Sequence, residues 1–125
     1  MSDRDTDADT DTDTDPDKGP HAIVAGPDED GLADALEAEG VTVTRLGGVI
    51  SRPQLEEAGI VETDLYVLTD IDQATTIPIV YDLTDDLRTV TYARRTVPEF
   101  VKGQLDLAID PRLMSPDVVA DELAE

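Results

Sequence analysis

The chain contains no cysteine and no tryptophan in its 125 residues. The missing thiols exclude disulfide bonds, zinc sites built on thiolates and catalysis by a cysteine nucleophile. For the same reason, the sequence says nothing about the redox state of its compartment.

Basic residues are scarce, since nine lysines and arginines stand against thirty aspartates and glutamates and the formal net charge at pH 7 is −21. Binding to nucleic acids and to anionic membranes depends on clustered lysine and arginine side chains. We therefore expect neither of them as a partner.

Long apolar runs are also missing, and no stretch approaches the roughly 18 apolar residues that a membrane-spanning helix needs. The N-terminal residues are acidic and polar, whereas a signal peptide has a basic start followed by an apolar run. We expect no membrane insertion and a cytoplasmic location.

The acidic excess, with only two lysines among the nine basic residues, favours a halophilic protein. Repulsion among carboxylates is tolerable in such a protein because the Debye length falls to about 3 Å at 1 M salt. The alternative is an acidic mesophilic protein with an interaction tail. Stability that depends on salt distinguishes the two.

Residues 1–19 differ from the rest, because aspartate occupies every second position from Asp3 to Asp17. Like charges two residues apart repel along one side of a strand, and the segment has no apolar face to bury. We predict a disordered acidic tail over 1–19, with no partner or with weakly bound cations, and one folded domain over 20–125.

After Pro20, short apolar runs alternate with amphipathic segments, which is typical of parallel βαβ units. Strands are predicted in AIVAG, VTVTRL, DLYVLTD, RTVTYAR and LDLAIDP, and helices in GLADALEAEG, RPQLEEAGI, QATTIPIVYDL, VPEFVKG and SPDVVADELAE. Pro78 should kink the third helix and Ser115 should cap the last. The pattern predicts an α/β fold, a Rossmann-like open parallel sheet of about five strands with helices on both faces.

The loop AGPDEDG follows the first predicted strand, where a dinucleotide-binding fold carries Gly-x-Gly-x-x-Gly. Gly26 and Gly31 match the first and third glycines, which serve the tight turn and the close packing of helix on strand. Asp28 replaces the second, which lets the backbone approach a pyrophosphate. We predict that Asp28, with Glu29 and Asp30, supplies the next helix with its own negative charge.

Four arginines, Arg45, Arg52, Arg94 and Arg95, follow predicted strands or lie in the next loop. The carboxyl ends of parallel strands share one edge, so these side chains could converge on a nucleotide or a phosphate. The alternative is that each pairs with the surrounding acidic surface. Arg45 ends the second strand, where it could accept the 2′-phosphate of NADP or simply remain solvated.

Candidate catalytic groups are few. Asp70 and Asp72 have the spacing of metal-binding carboxylates, but at a strand-to-helix junction we expect them to cap the next helix. His21, the only histidine, precedes the first strand and lacks partners for acid–base chemistry. We predict a protein that is not an enzyme and has no resident cofactor.

Several blocks, in this order, resemble the nucleotide-binding domain of TrkA-type potassium-transport regulators, called TrkA-N or RCK domains. They are IVAGPDEDG, LEEAGI before TDLYVLTD, the helix leading into DLRTVTYAR, which carries Arg94, and DLAIDP. The resemblance implies a regulatory or interaction module derived from a nucleotide sensor, which pairs with a second copy or a regulatory protein. In that family an acidic residue near the position of Arg45 holds the ribose, so the NAD-type contact is missing here.

Two ligand hypotheses follow from the resemblance. The degenerate loop favours a module that binds NAD, NADP or ATP weakly or not at all, and the alternative is a working nucleotide or phosphate sensor at the strand carboxyl edge. The chain is also similar to small haloarchaeal proteins that sometimes carry the label CTP synthetase. That label is unsupported, because such an enzyme needs an ATP-phosphate loop and a glutaminase cysteine, and the sequence has neither.

Overall fold

The computed structural model describes residues 20–84 and 86–124, and within them five parallel strands form one sheet. The strands are β1 (His21–Ala25), β2 (Thr42–Leu46), β3 (Leu65–Leu68), β4 (Arg88–Tyr92) and β5 (Leu107–Ile109). Each overlaps one of the five predicted runs, so the predicted strands are confirmed. The acidic tail predicted for residues 1–19 lies outside the described residues.

The strands are arranged in the order β2-β1-β3-β4-β5. This is the order of flavodoxin-like doubly wound sheets, whereas the dinucleotide-binding order 3-2-1-4-5-6 places a further strand outside β2. Here β3 lies beside β1, and Val24 of β1 is in register with Arg45 of β2 and Val67 of β3. The predicted Rossmann-like parallel sheet is confirmed, with the flavodoxin type of strand order.

Five α-helices connect or follow the strands in the described part of the chain. They are α1 (Leu32–Ala38), α2 (Arg52–Glu57), α3 (Thr76–Leu83), α4 (Glu99–Lys102) and α5 (Pro116–Leu123). The helices α1 and α5 cover one face of the sheet through buried residues such as Leu36 and Val119. The helices α2, α3 and α4 cover the other face through Leu55, Ile77 and Val101. Helices on both faces are therefore confirmed.

The central strand β3 is buried along its whole length, as its continuous apolar sequence predicts. Burial of each large apolar side chain contributes about 1.5–3 kcal/mol relative to leaving it exposed. The two helix layers therefore hold β3, and the loop that follows it, at a fixed position in the molecule.

Two local predictions about the helices are wrong. The helix α3 begins at Thr76, so Pro78 lies in its first turn, where backbone N–H groups have no partner within a helix and proline removes none. Ser115 occupies the N-cap position of α5, but its side chain makes no capping hydrogen bond. No helix in the described ranges combines the length and apolar character that crossing a bilayer requires.

Candidate functional site

A crevice of about 200 Å³ opens at the carboxyl edge of the sheet, where the loops after β1, β3 and β4 meet. The loop after β1 leads to α1 on one face and the loop after β3 leads towards α3 on the other. In doubly wound sheets, ligands bind at such a switch point. The crevice is lined by Pro27, Asp28, Glu29, Asp30, Thr69, Asp70, Ile71, Tyr92, Ala93, Arg94 and Arg95.

Gly26 follows β1 with a φ of 108°, a conformation that favours glycine. A Cβ atom at this position would lie 2.5 Å from the Oγ1 atom of Thr69 and 3.0 Å from the backbone nitrogen of Asp70. The Thr69 hydroxyl donates a hydrogen bond to the carbonyl of Pro27 at 2.6 Å. Gly26 therefore makes the turn, as predicted, and leaves room for the loops after β1 and β3 to approach each other.

Asp28 lies in front of α1 and uses both carboxylate oxygens to accept the backbone N–H of Ala33, each at 3.2 Å. Ala33 is the second residue of α1, and the first N–H groups of a helix have no partner within it. A carboxylate here also lies at the positive end of the helix dipole. The prediction that Asp28 supplies this helix with its own negative charge is confirmed.

Gly31 has a different role from the predicted one. It forms the N-cap of α1 with a φ of 78°, and a Cβ at this position would have no atom within 4 Å. Close packing of helix on strand therefore does not require glycine here, and that prediction is wrong. The left-handed backbone conformation is what favours glycine at this position.

Arg94 lies beside this loop and pairs with Asp30. Its guanidinium donates hydrogen bonds to both carboxylate oxygens, at 2.7 and 3.1 Å, and this contact raises the pKa of Arg94. Arg95 pairs in turn with Asp72. A phosphate in the crevice would have to compete with these carboxylates for both arginines.

Of the two alternatives for the four arginines, convergence on the crevice is wrong for Arg45 and Arg52, since neither lines it. The other alternative, pairing with acidic residues, is confirmed for all four. Arg45 extends over α1, where its guanidinium lies 2.8 Å from Asp34 and 3.3 Å from Glu37. The hydrogen bond with Glu37 raises the pKa of Arg45. Arg52 pairs with Asp82 of α3 at 2.6 Å. Both arginines have an acidic partner on a nearby helix, and this draws them away from the crevice.

Asp70 caps the 3-10 turn Ile71–Gln73 that follows β3, because its carboxylate accepts the backbone N–H of Asp72 at 3.1 Å. Asp70 therefore caps, as predicted, but it caps this turn and not α3, whose N-cap residue is Thr75. The same prediction is wrong for Asp72, whose carboxylate pairs with Arg95. The same short turn thus places Asp70 in the crevice and directs Asp72 towards Arg95.

Gln73, at the end of this turn, is a residue that the sequence analysis missed. Its side-chain amide donates to the carbonyl of Gly48 at 2.7 Å, and its amide oxygen accepts the backbone N–H of Ile50 at 2.6 Å. It therefore ties the loop after β2 to the turn after β3. Its partners lie 25 and 23 residues away along the chain, so no local pattern marks Gln73.

A second hollow, of about 510 Å³, lies on the other side of Gly26 and Pro27, between the loops after β2 and β3. Gly48, Val49 and Gln73 form part of its wall, and its charged lining residues, Asp70 and Asp72, are both acidic. An anionic group placed there would meet two carboxylates.

The loop after β4, which carries Arg94, is supported by groups near β5. Arg112 donates to the carbonyl of Arg94 at 3.3 Å and also bonds Asp110, which lowers the pKa of Asp110 to about 2. The hydroxyl of Tyr92 donates to the carbonyl of Met114 at 2.9 Å, and desolvation raises the pKa of Tyr92. These contacts position Arg94 beside Asp30.

The crevice thus contains carboxylates and arginines but no imidazole, because His21 begins β1 at the opposite end of that strand. Within residues 20–84 and 86–124, no group of three or more His, Cys, Asp or Glu side chains could hold a metal ion. The crevice therefore presents carboxylate–arginine pairs. A charged group of a ligand or of a protein partner could replace one member of such a pair.

The fold is similar to those of two solved structures. A candidate pilus assembly protein (cpaE) from Burkholderia thailandensis has a TM-score of 0.59 at 17% identity, with 83% of this chain and 94% of that chain covered. A candidate pilus assembly-related protein from Burkholderia pseudomallei has a TM-score of 0.59 at 16% identity, with 83% and 86% covered. At these identities the likeness concerns the fold alone.

No curated protein matches the sequence. Residues 22–123, by contrast, match a family that is defined by sequence and described as "Family of unknown function (DUF7126)". The match spans almost the whole of the described sheet and its helices, from β1 to the end of α5. The chain therefore belongs to the DUF7126 family.

Proposed function

We propose that this protein is a non-catalytic regulatory or interaction module, derived from a nucleotide-sensing domain of the TrkA-N/RCK kind. Its dinucleotide loop no longer receives a pyrophosphate. The observation that carries the proposal is the contact between the Asp28 carboxylate and the backbone N–H of Ala33, at 3.2 Å. In a dinucleotide-binding fold, a phosphate lies at that end of the helix.

The charge around the crevice supports the proposal. Asp28, Glu29 and Asp30 are consecutive lining residues, and Asp70 faces them from the loop after β3. Both lining arginines, Arg94 and Arg95, are already paired with carboxylates. A pyrophosphate would have to displace those carboxylates and lie beside the remaining negative charges.

The small volume of the crevice also supports the proposal. Pockets for small molecules and cofactors usually have volumes of about 300–1,000 Å³. The crevice has about 200 Å³, which is small for a dinucleotide. The site is therefore better suited to contact with a protein partner than to enclosure of a nucleotide.

Calorimetric titration of NAD, NADP and ATP in molar potassium chloride tests the proposal. The natural protein should bind weakly or not at all, and Asp28→Gly should bind detectably, because it removes a Cβ and a charge from the phosphate position. The folding cost of Asp28→Gly should be about 1–2 kcal/mol, because Gly31 remains the N-cap residue but the carboxylate that accepts the N–H of Ala33 at the positive end of the helix dipole is lost.

Two further variants separate space from charge. Asp28→Asn keeps the size of the side chain and removes its charge, so it should restore less binding than Asp28→Gly. Glu39→Gln removes one charge at the far end of α1, outside the crevice, and should restore none. Tight binding by the natural protein that weakens in Asp28→Gly would contradict the proposal.

The second candidate function is a working nucleotide or phosphate sensor at the strand carboxyl edge. The second hollow favours it by volume, because its 510 Å³ falls in the range usual for small-molecule pockets. Its acidic lining, Asp70 and Asp72, disfavours a phosphate there. In this second function an adenine ring would occupy the hollow and its phosphates would lie near Arg94. Tight ATP binding by the natural protein in the same titrations would favour it.

Composition bears on the environment and the partners of the proposed module. A net charge of −21 supports a halophilic protein that does not bind nucleic acid, and the location we propose is cytoplasmic. The partner would be a regulatory protein or a second copy of the chain.

A further inference from the structure

A third hollow, of about 310 Å³, opens at the carboxyl ends of β4 and β5, and we call it the β4–β5 hollow. Its lining includes Thr91 of β4, Lys102 of α4, Ala108 of β5 and Arg112 in the loop after β5. Its volume lies at the lower end of the range of about 300–1,000 Å³ that is usual for small-molecule pockets. The hollow therefore has room for a small ligand.

The lining of the β4–β5 hollow is basic, although the protein is strongly acidic. Residues 20–125 contain seven basic and twenty-two acidic residues. Four of the seven basic residues line the hollow, and of the acidic residues that the structure describes only Asp110 does so. The crevice has the opposite pattern, with four acidic residues and two arginines. The two spaces share Arg94 and Arg95, so an anion beside these arginines meets fewer carboxylates in the hollow.

Each of the four basic side chains has a carboxylate partner, so the four pairs together are formally neutral. The pairs still leave hydrogen-bond donors unused. Arg112 bonds Asp110 and the carbonyl of Arg94 through its Nε and Nη2 atoms, and its Nη1 atom makes no hydrogen bond within the described residues. The ammonium group of Lys102 can donate more than one hydrogen bond, and among the same residues it donates one, to Glu99 at 3.0 Å. Lys102 and Arg112 can therefore donate to an anion without leaving their partners.

Thr91 is the buried polar residue of the lining, with 1% of its surface exposed. Its neighbours Val90 and Tyr92 belong to the core under α1 and α5, so the Thr91 side chain points to the opposite face, which α4 covers. Its hydroxyl makes no hydrogen bond with any residue that the structure describes. Ala108 is its partner in register on β5, and this small side chain leaves space beside the hydroxyl. Buried hydroxyl groups usually have a partner, so this one is available to a ligand in the hollow.

We propose that the β4–β5 hollow binds a phosphate group, which accepts hydrogen bonds from the Thr91 hydroxyl, the Lys102 ammonium and the free Nη1 atom of Arg112. These donors come from a strand, a helix and a loop, so they reach a tetrahedral anion from different directions. Hydrogen bonds from charged donors to phosphate oxygens are stronger than those between neutral groups. The carboxylate in the lining, Asp110, is bonded to Arg112 through both oxygens, which offsets its charge. The ligand is inorganic phosphate or the phosphoryl group of a small phosphate ester, since both present the same oxygens.

This site goes beyond the proposed function and does not depend on it, because Thr91, Lys102 and Arg112 all lie outside the crevice. Asp28→Gly should leave the affinity for phosphate unchanged. A nucleotide bound through the hollow would lose affinity in Thr91→Val but would gain none in Asp28→Gly. Failure of the phosphate site and failure of the proposed function are therefore distinguishable.

Titration of potassium phosphate into isotope-labelled protein, followed by backbone amide chemical shifts, tests the site. Potassium chloride is withdrawn as phosphate is added, so that the ionic strength stays constant at a molar level. Millimolar phosphate should cause saturable shifts at the amides of Thr91, Ala108 and Arg112. A parallel titration with glycerol phosphate distinguishes the two sources of the phosphate group. Tighter binding of glycerol phosphate would identify an ester as the ligand, tighter binding of inorganic phosphate would identify the free ion, and either result supports the site.

Two matched pairs of variants locate the binding. Thr91→Val replaces the hydroxyl with a methyl group, and its control is Thr89→Val, because Thr89 is also buried in β4, its hydroxyl also has no partner within the described residues, and it does not line the hollow. Arg112→Gln removes the charged donor. Its control is Arg52→Gln, because Arg52 is also exposed and paired with a carboxylate but lies outside the hollow.

Thr91→Val should weaken phosphate binding by about fivefold or more, and Arg112→Gln by about tenfold or more, because a hydrogen bond from a charged group contributes more than one from a hydroxyl. Thr89→Val and Arg52→Gln should each change the dissociation constant by less than about twofold. Circular dichroism checks that each variant is folded. The threonine pair decides if Arg112→Gln fails to fold.

Three results would overturn the inference. The first is that neither phosphate nor glycerol phosphate causes saturable shifts in the natural protein. The second is that the saturable shifts occur at residues outside the hollow, such as those of the loop after β1. The third is that Thr89→Val weakens binding as much as Thr91→Val does.

Discussion

Replacing Gly26 with alanine is expected to lower the free energy of unfolding by about 2–4 kcal/mol. The backbone contributes about 1–3 kcal/mol of this loss, because alanine at a φ of 108° is strained. The new Cβ would lie 2.5 Å from Thr69 Oγ1 and 2.9 Å from the Cβ of Asp70. Moving these groups costs about 1–3 kcal/mol, and the stiffer unfolded chain returns about 0.4–1 kcal/mol.

Urea unfolding in molar potassium chloride, followed by circular dichroism, measures this loss. Gly31→Ala is the matched control, since Gly31 also has a positive φ, 78°, but its added Cβ would have no atom within 4 Å. We expect a loss of about 1 kcal/mol there, because backbone strain costs about 1–2 kcal/mol and the stiffer unfolded chain again returns about 0.4–1 kcal/mol. A Gly26→Ala loss no larger than that of Gly31→Ala would show that the contact between the loops after β1 and β3 is not the reason for glycine.

A double-mutant cycle with Thr69→Ala refines the test. The hydroxyl of Thr69 is the atom nearest to the added Cβ, so removing it should make Gly26→Ala less costly than in the natural background. The backbone nitrogen of Asp70, at 3.0 Å, stays in place and keeps part of the loss. Strict additivity would mean that the hydroxyl is not involved.

Two further predictions concern pH and salt. Burial raises the pKa of Tyr66 from 10.0 to about 12. The contribution of its protonated hydroxyl to the free energy of unfolding is therefore fully present below pH 10 and is lost as the pH rises towards 12. The loss should reach about 2–3 kcal/mol. In Tyr66→Phe the free energy of unfolding should depend less on pH in this range. An equally steep loss in that variant would contradict the assignment to Tyr66. The net charge of −21 predicts a folded domain in molar salt and partial unfolding after dialysis into dilute buffer, followed by circular dichroism. Full stability in dilute buffer would contradict the halophilic interpretation.

The architecture was largely predictable because each strand is a compact apolar run between polar segments. The run that forms β3 is apolar throughout, and it is the strand that is buried on both faces. The error at Pro78 arose at a helix boundary. The sequence does not show that α3 begins at Thr76 rather than at Gln73, and that difference decides whether proline removes a hydrogen bond.

The candidate site was only partly predictable. Gly26 and Asp28 were found because the glycine fingerprint assigns them positions next to a strand and a helix. The partners of Arg45 and Arg52 could not be predicted, since both side chains are long and a chain with thirty acidic residues offers many carboxylates. The capping box of α2 was visible as Ser51 followed by Gln54 and was overlooked.

Gln73 differs from the ion pairs that connect neighbouring elements at the surface of the molecule. Pairs such as Arg52 with Asp82 are exposed, and salt screens them. The amide of Gln73 is neutral, so its hydrogen bonds to the backbone of Gly48 and Ile50 depend less on ionic strength than an ion pair does. The connection between the loops after β2 and β3 should therefore persist in molar salt. The neighbouring ion pairs are weakened under the same conditions and can exchange partners.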